Sequence, residues 1–466
     1  TLQLNIPDTS GDPNNTTGII PTAGFSSGIL AATQRGASGD AGTITITTDT
    51  LRLADGAVID NSTTNNSNAG TIIINANILE ALGGGQIITA TRGNGNAADI
   101  KLNITDSILI SGSDPNFATR LERANEFGAI QGGDNIVTNQ GAASGIFANT
   151  SEDSTGDGGN IFIGIFKQEG NNLILDNNQF TPQISLTEGA AIFASTLGEG
   201  DAQNITLNTS QLTINQGASI AAFTENIGNA GNITVTAPQQ VELIDSSSLI
   251  VETSSAGKPG NITITTPNLT IGKDAQISAT ATATSTNTEG GSSITINTSN
   301  LDLTGKLGIF AETQGEAPAG TLNLQPYLNQ PNLDIEFTDT AIISASTSGS
   351  GTGGDINLTA PETINLSGQG TIAVATTGSG NAGSINLTAE QINISNQTQI
   401  SASTSATGSA GSITLLGTES VFLDNSFITT IINEDANVDI TAATSNITIT
   451  TSSLTLNNGT QITAST

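Results

Sequence analysis

Few residues in this chain could do chemistry. It contains no His, Cys or Trp and a single Tyr. Without His or Cys, Ser–His and Cys–His nucleophilic pairs are excluded, and so are metal centres built on imidazole or thiolate. Carboxylates remain: 41 Asp and Glu stand against 10 Lys and Arg, for a net charge of −31. Two carboxylates roughly 5–10 Å apart are the machinery of glycoside hydrolysis, and Asp or Glu stacked on adjacent strands would reach that separation. Sugar subsites, however, usually lie on Trp or Tyr rings, which are scarce here. A lyase acting on acidic polymers needs clustered cations, and of Lys101, Lys167, Lys258, Lys273, Lys306, Arg35, Arg52, Arg92, Arg120 and Arg123 only the last two are close together. No catalytic residue is assigned, and the expectation is a protein that is not an enzyme.

Two further patterns are weighed against blander readings. Gly378, Gly380 and Gly383 match G-x-G-x-x-G. A strand pattern follows, not the helix whose N-terminus would hold a pyrophosphate, so the match reads as a chain corner and no cofactor is expected. Asp40, Asp99, Asp157, Asp201 and Asp355 recur before strand patterns and are candidate Ca²⁺ ligands, the ion being one that takes carboxylate and carbonyl oxygens. Solvated turn acids are the commoner case. The lopsided charge repels phosphate backbones and anionic headgroups, so nucleic acid is excluded as a partner. No window approaches 18 consecutive apolar residues, so no membrane insertion is expected.

The elements that would position any such group come from an internal repeat. The phrase small–Gly–polar–Ile–polar–Ile reads AGTITIT from Ala41, AGTIIIN from Ala69, AGNITVT from Ala230, PGNITIT from Pro259, AGTLNLQ from Ala319, GGDINLT from Gly353, AGSINLT from Ala382 and AGSITLL from Ala410. Looser copies begin at Ala97, Gly158, Ala202, Gly291 and Thr444, and the spacings cluster near 28 residues. A second phrase follows, as in Leu269–Thr270–Ile271 and Ile392–Asn393–Ile394; a third closes the unit, as in Ile277–Ser278–Ala279 and Ile400–Ser401–Ala402. Alternation at period two marks half-buried strands, and Ile, Val and Thr fit a pleated surface. Gly, Asn, Asp and Ser lie between the phrases and tolerate the positive φ of tight corners.

Three short strands per 28 residues, with no helical period between them, predict an all-β fold. It is a single right-handed parallel β-helix, or β-solenoid, of triangular coils. Each side would form a parallel sheet, with aliphatic columns inside and Thr and Asn ladders outside. Residues 1–24 are non-repetitive and are read as a cap or subunit junction; residues 25–466 are the solenoid. Insertions are expected at about 111–145, 163–191 and 325–338, the first carrying a short helix over 117–127 with Arg120 and Arg123.

The run from Ala382–Gly383–Ser384–Ile385 to Gln399–Ile400–Ser401–Ala402–Ser403–Thr404 resembles the repeat arrays of cyanobacterial filamentous-haemagglutinin-like exoproteins. The resemblance covers nearly all of residues 24–466. It implies a secreted, two-partner-secretion-type adhesin at the cell surface or in the extracellular matrix. Cell-surface glycans and neighbouring cells are the partners it implies.

A chain that opens at Thr1 without Met or a signal segment reads as a processed product or an excised piece. It closes on a strand phrase at Ile462–Thr463–Ala464. Open solenoid edges invite pairing with another chain, so end-to-end self-association into filaments is expected. Leu2, Leu4, Ile6, Ile462 and Ala464 are the junction candidates. Arg120, Arg123 and Tyr327 are the candidates on the insertions. The function expected is a structural and adhesive rod; the alternative is a polysaccharide-binding or polysaccharide-degrading β-helix.

Overall fold

An Ile or Leu at every second position of a six-residue phrase can be buried only if another surface covers that side of the strand, and here the next copy of the phrase does so. The computed structural model describes residues 2–5, 26–31, 33, 39–123, 139–170, 172–287, 291–405, 407–432 and 445–465. It is a parallel β-solenoid of about 14 turns of roughly 29 residues. The chain divides into two compact units. Unit one comprises 1–209 and 213–221, and unit two 210–212 and 222–466.

Register is strict in both units. On the first side of unit one, Ile44 pairs with Ile72, Ile72 with Ile100 and Ile100 with Ile161. On the third side, Ile29, Ile59, Ile87, Ile146 and Ile192 form a similar column. In unit two the first-side column runs from Ile233 through Ile262, Ile294, Leu322 and Ile356 to Ile385. Nearly all of these residues are fully buried. At about 25 cal/mol per Å² of apolar surface removed from water, each contributes roughly 1.5–3 kcal/mol.

The three sides do not make three separate sheets. First- and second-side strands belong to one hydrogen-bonded sheet and third-side strands to another. The reason is continuity at the first corner. In Ile72–Leu82 the inward residues are Ile72, Ile74 and Ala76, then Leu79 and Ala81. The chain turns the corner by skipping one residue of alternation without leaving strand geometry, and the pairing register shifts at the same place, between Ala76 and Ile78.

The other two corners obey different rules. Between second and third sides, pairs of consecutive residues adopt positive φ, among them Asp55 with Gly56, Gln216 with Gly217, Lys273 with Asp274 and Asn458 with Gly459. This is where positive φ is needed. The glycines of the repeated AG phrase, by contrast, are not in that region. A Cβ on Gly383 would lie 1.9 Å from the Gly354 carbonyl oxygen, and one on Gly411 would lie 1.8 Å from that of Gly383. These corners nest backbone on backbone, and any side chain would force the coils apart. Buried Thr residues line the same corner. Thr347 bridges Thr376, which bridges Thr404, and the Thr376 hydroxyl donates to the Gly380 carbonyl at 2.9 Å. Gly380 thus belongs to a corner followed by strand Ser384–Ser395.

Two expected insertions shrink. Within 163–191 only the antiparallel hairpin Phe166–Glu169 with Asn172–Leu175 leaves the wall. Thr181–Thr187 then returns to it, with Ile184 on Ile108 and Leu186 on Ile110. Within 325–338, Asn332–Thr338 is a wall strand whose Leu333, Ile335 and Phe337 are core. Phe337 fits only because Gly370, in the next coil, has no Cβ to meet its ring at 1.9 Å. The apolar alternation of LDIEF is a strand signal and outranks the two prolines before it. The segment after Ser111 is a true excursion, with the wall resuming at Gly145–Thr150. Helix is present over 117–123, and the rest of the expected helix lies outside the described residues.

Gly383→Ala should destabilise unit two by about 1–3 kcal/mol, the usual cost of overpacking. Gly42→Ala, at the same phrase position but with nothing within 4 Å of its Cβ, should stay within roughly 0.5 kcal/mol of the parent. Amide exchange in the flanking strands measures both.

Candidate functional site

Each side of a solenoid presents the outward half of its alternating phrases, so a site must be assembled from equivalent positions on successive coils. In unit two the three sides differ in charge. The second side carries acids: Asp302 pairs with Glu336, and Asn300 with Asp334. Asn268, Asn300, Asp302, Asp334, Ile335, Glu336, Asn365 and Ser367 line a shallow groove of about 430 Å³ there. Burial raises the Asp302 pKa above the ordinary carboxylate value, and the neighbouring Glu336 charge raises it further. Strand register thus gathers three carboxylates, an arrangement in which an acid–base pair could operate. No lining residue is basic.

The third side holds two more perturbed acids. Burial pushes Glu312 up, and the Ser344 hydroxyl, which donates to it, acts in the opposite direction. Burial and the charge of Glu225 push Glu252 up. The first side differs from both. One outward column holds Thr234, Thr263, Thr295, Asn323, Asn357 and Asn386; the next holds Thr236, Thr265, Asn297 and Gln325. The strands of this side contain no charged residue. The Asn357 amide donates to Asn323 at 3.0 Å and that of Asn386 to Asn357 at 3.0 Å, a ladder that equal spacing makes self-satisfying.

Four of the five candidate calcium ligands cap backbone N–H groups of the next coil. Asp40 accepts from the Asn68 N–H at 2.8 Å, Asp157 from the Asp201 N–H at 2.9 Å and Asp355 from the Ser384 N–H at 2.8 Å. Asp99 accepts from both the backbone and the side-chain amide of Asn160, with Lys101 at 4.0 Å. Stacking brings Asp157 and Asp201 together in one column and leaves the others apart. Among the described residues no group of three or more Asp and Glu could hold a metal ion.

Arg120 does not stand on a binding face. It is buried, and its Nε and Nη2 lie 2.7 and 2.6 Å from Asp114 Oδ2. It also donates to the Ser26 hydroxyl at 3.2 Å. Asn139, which accepts from Ser26 and from Arg120, donates to the Gly56 carbonyl at 3.2 Å. The expected binding arginine is instead the bolt that fastens the excursion to the first coils, with Arg123 one helical turn away. On the third side of unit one, the outward residues Val58, Ile88, Ala90, Phe147 and Ala191 form an apolar cluster. Gln86 on the same side donates to the Gly141 and Ala143 carbonyls. Sequence alternation assigned this face to polar ladders; the II of QIIT and the IF of GIF were the available sign of a side covered on both faces.

Tyr327 is half-buried beside an exposed Leu328 in the short loop after strand Thr321–Gln325. Leu2 and Leu4 belong to strand Leu2–Asn5, which pairs with Leu51–Ala54 of the same chain; Ile6 lies outside the described residues. Ile462 pairs with Ile428, and Ala464, exposed, with Thr430. Among the described residues no helix is long and apolar enough to cross a membrane.

Two outcomes follow. Arg120→Met should destabilise unit one by about 3–5 kcal/mol, because it leaves Asp114 buried without its partner; replacing both partners with apolar residues should cost far less, read by denaturant unfolding. Glu312 is the pH probe. Its folded pKa is raised, so its contribution to stability is fully present below the ordinary value of 4.5 and is lost as pH rises through the folded value. Glu312→Gln should therefore raise the melting temperature at pH 7–8 and leave it nearly unchanged near pH 4. Comparison with known proteins finds no matching family model, no matching curated protein and no matching solved structure.

Proposed function

We propose that this chain is a secreted structural and adhesive β-solenoid of a bacterial cell surface or extracellular matrix, similar in role to filamentous-haemagglutinin-like exoproteins. The observation that supports this most is the use of its chemistry. Polar side chains that sequence alone offers as ligands, Asp40, Asp99, Asp157, Asp355 and Arg120, tie one coil to the next or an excursion to a coil. What remains outward is a set of long repetitive faces, suited to multivalent contact in which many weak interactions add. Neighbouring cells and surface glycans are the partners proposed, and self-association of copies into filaments belongs to the same reading.

Deleting the encoded chain should lower attachment of the producing cells to surfaces or to one another, and the protein should be recovered outside the cell or on its outer face. Unchanged attachment together with retention in the cytoplasm would defeat the proposal. A second reading, polysaccharide cleavage, is favoured by one observation, the stacked Asp302 and Glu336. If it holds, Asp302→Asn and Glu336→Gln should each abolish reducing-end release from a polysaccharide panel; the adhesive reading expects no release by the parent protein.

A further inference from the structure

Charge in unit two is not spread evenly over its sides. The second side carries Asp302, Asp334 and Glu336, and the third Glu252 and Glu312. The first-side strands carry none, although the whole chain has a net charge of −31. Asp355, exposed, immediately precedes the first-side strand Ile356–Thr359, and its carboxylate accepts from the Ser384 N–H. What the first side offers is a two-column array of half-exposed hydroxyls and amides, repeated about every 4.8 Å along the stack. The Asn323–Asn357–Asn386 ladder spends one N–H of each donating amide on its neighbour, and each retains a second N–H for an outside acceptor.

We infer that this side of unit two is a docking face for an uncharged, hydroxyl-rich polysaccharide. Complementarity of charge selects the occupant. An anionic polymer is repelled by the protein as a whole, and a cationic one is drawn to the acids of the second and third sides. A neutral polyhydroxy chain meets no penalty on the first side, and its hydroxyls exchange donors and acceptors with Thr and Asn in any orientation. With no aromatic platform, each contact is weak, and retention comes from repetition along the stack. The inference rests on the adhesive reading above and names its ligand class.

The test uses the full chain and a panel of uncharged polymers (amorphous cellulose, xylan, mannan and galactan), with alginate as the anionic comparison. At least one neutral polymer should retain the chain, alginate should not, and raising the salt to about 0.5 M should leave retention unchanged, since screening acts on charge pairs. Thr234→Val/Thr263→Val/Thr295→Val keeps β-branching while removing the hydroxyls, and should weaken retention about tenfold. Thr263→Lys, which reports on the same face without raising its apolar area, should do the same. Glu242→Gln, on the second side and outside the groove of Asp302 and Glu336, should have no effect. Retention by none of the neutral polymers, or retention equal in the first-side variants, overturns the inference. If cells still attach through the protein in that case, the adhesive reading stands and only its proposed ligand falls. If deletion leaves attachment unchanged, the adhesive reading itself falls.

Discussion

Everything in this structure depends on one stacking constraint: each coil lies on an equivalent coil at strand spacing, so a residue's principal neighbour is the same position one turn away. Inside, this demands a constant cross-section. Ile233, Ile262 and Ile294 can follow one another because aliphatic branches of equal size interlock, whereas a larger residue needs its space made elsewhere, as Gly370 makes room for Phe337. At the third corner the constraint becomes absolute, because backbone rests on backbone and only hydrogen fits at Gly383 and Gly411.

Outside, the same constraint sorts side chains by how well they tolerate their own kind. An amide is both donor and acceptor, so Asn323, Asn357 and Asn386 satisfy one another at a fixed rise. A carboxylate only accepts. Stacked on a backbone N–H it is useful, as Asp40, Asp157 and Asp355 show. Partly buried and stacked on another carboxylate it is costly: burial first, and then the charge of Glu336, raises the pKa of Asp302. Acids are therefore absorbed at corners or set on sides other than the first, and the neutral side is a consequence of ladder chemistry that becomes available for recognition.

Excursions from the wall serve a second purpose. The one after Ser111 carries Arg120 to Asp114 and Ser26, and its Gly141 and Ala143 carbonyls accept from Gln86 on the third side. A buried ion pair of this kind adds little net stability but fixes position strongly, since separating the partners strands a charge. The hairpin Phe166–Leu175 is held more lightly, by the Asn103 side chain accepting from the Phe166 N–H and by Lys167 near Asp176.

The repeat made the architecture legible without coordinates. A period near 28 residues, three alternating phrases and small residues between them admit little besides a stack of equivalent coils, and the inward columns could be written down from AGxIxI and LxL alone. The alternation at Leu333, Ile335 and Phe337 is the same signal, yet the prolines before it put 325–338 among the expected insertions, and the structure returns these residues to the wall. Only the tertiary structure decided which groups meet across coils: that Arg120 faces Asp114, that Asp302 faces Glu336, and that the AG glycines answer to a carbonyl above them and not to their own φ. Periodicity reports which way a side chain points. What it meets depends on the spacing between coils and on the path of each excursion, and these are set by contacts between residues about 30 to 90 positions apart.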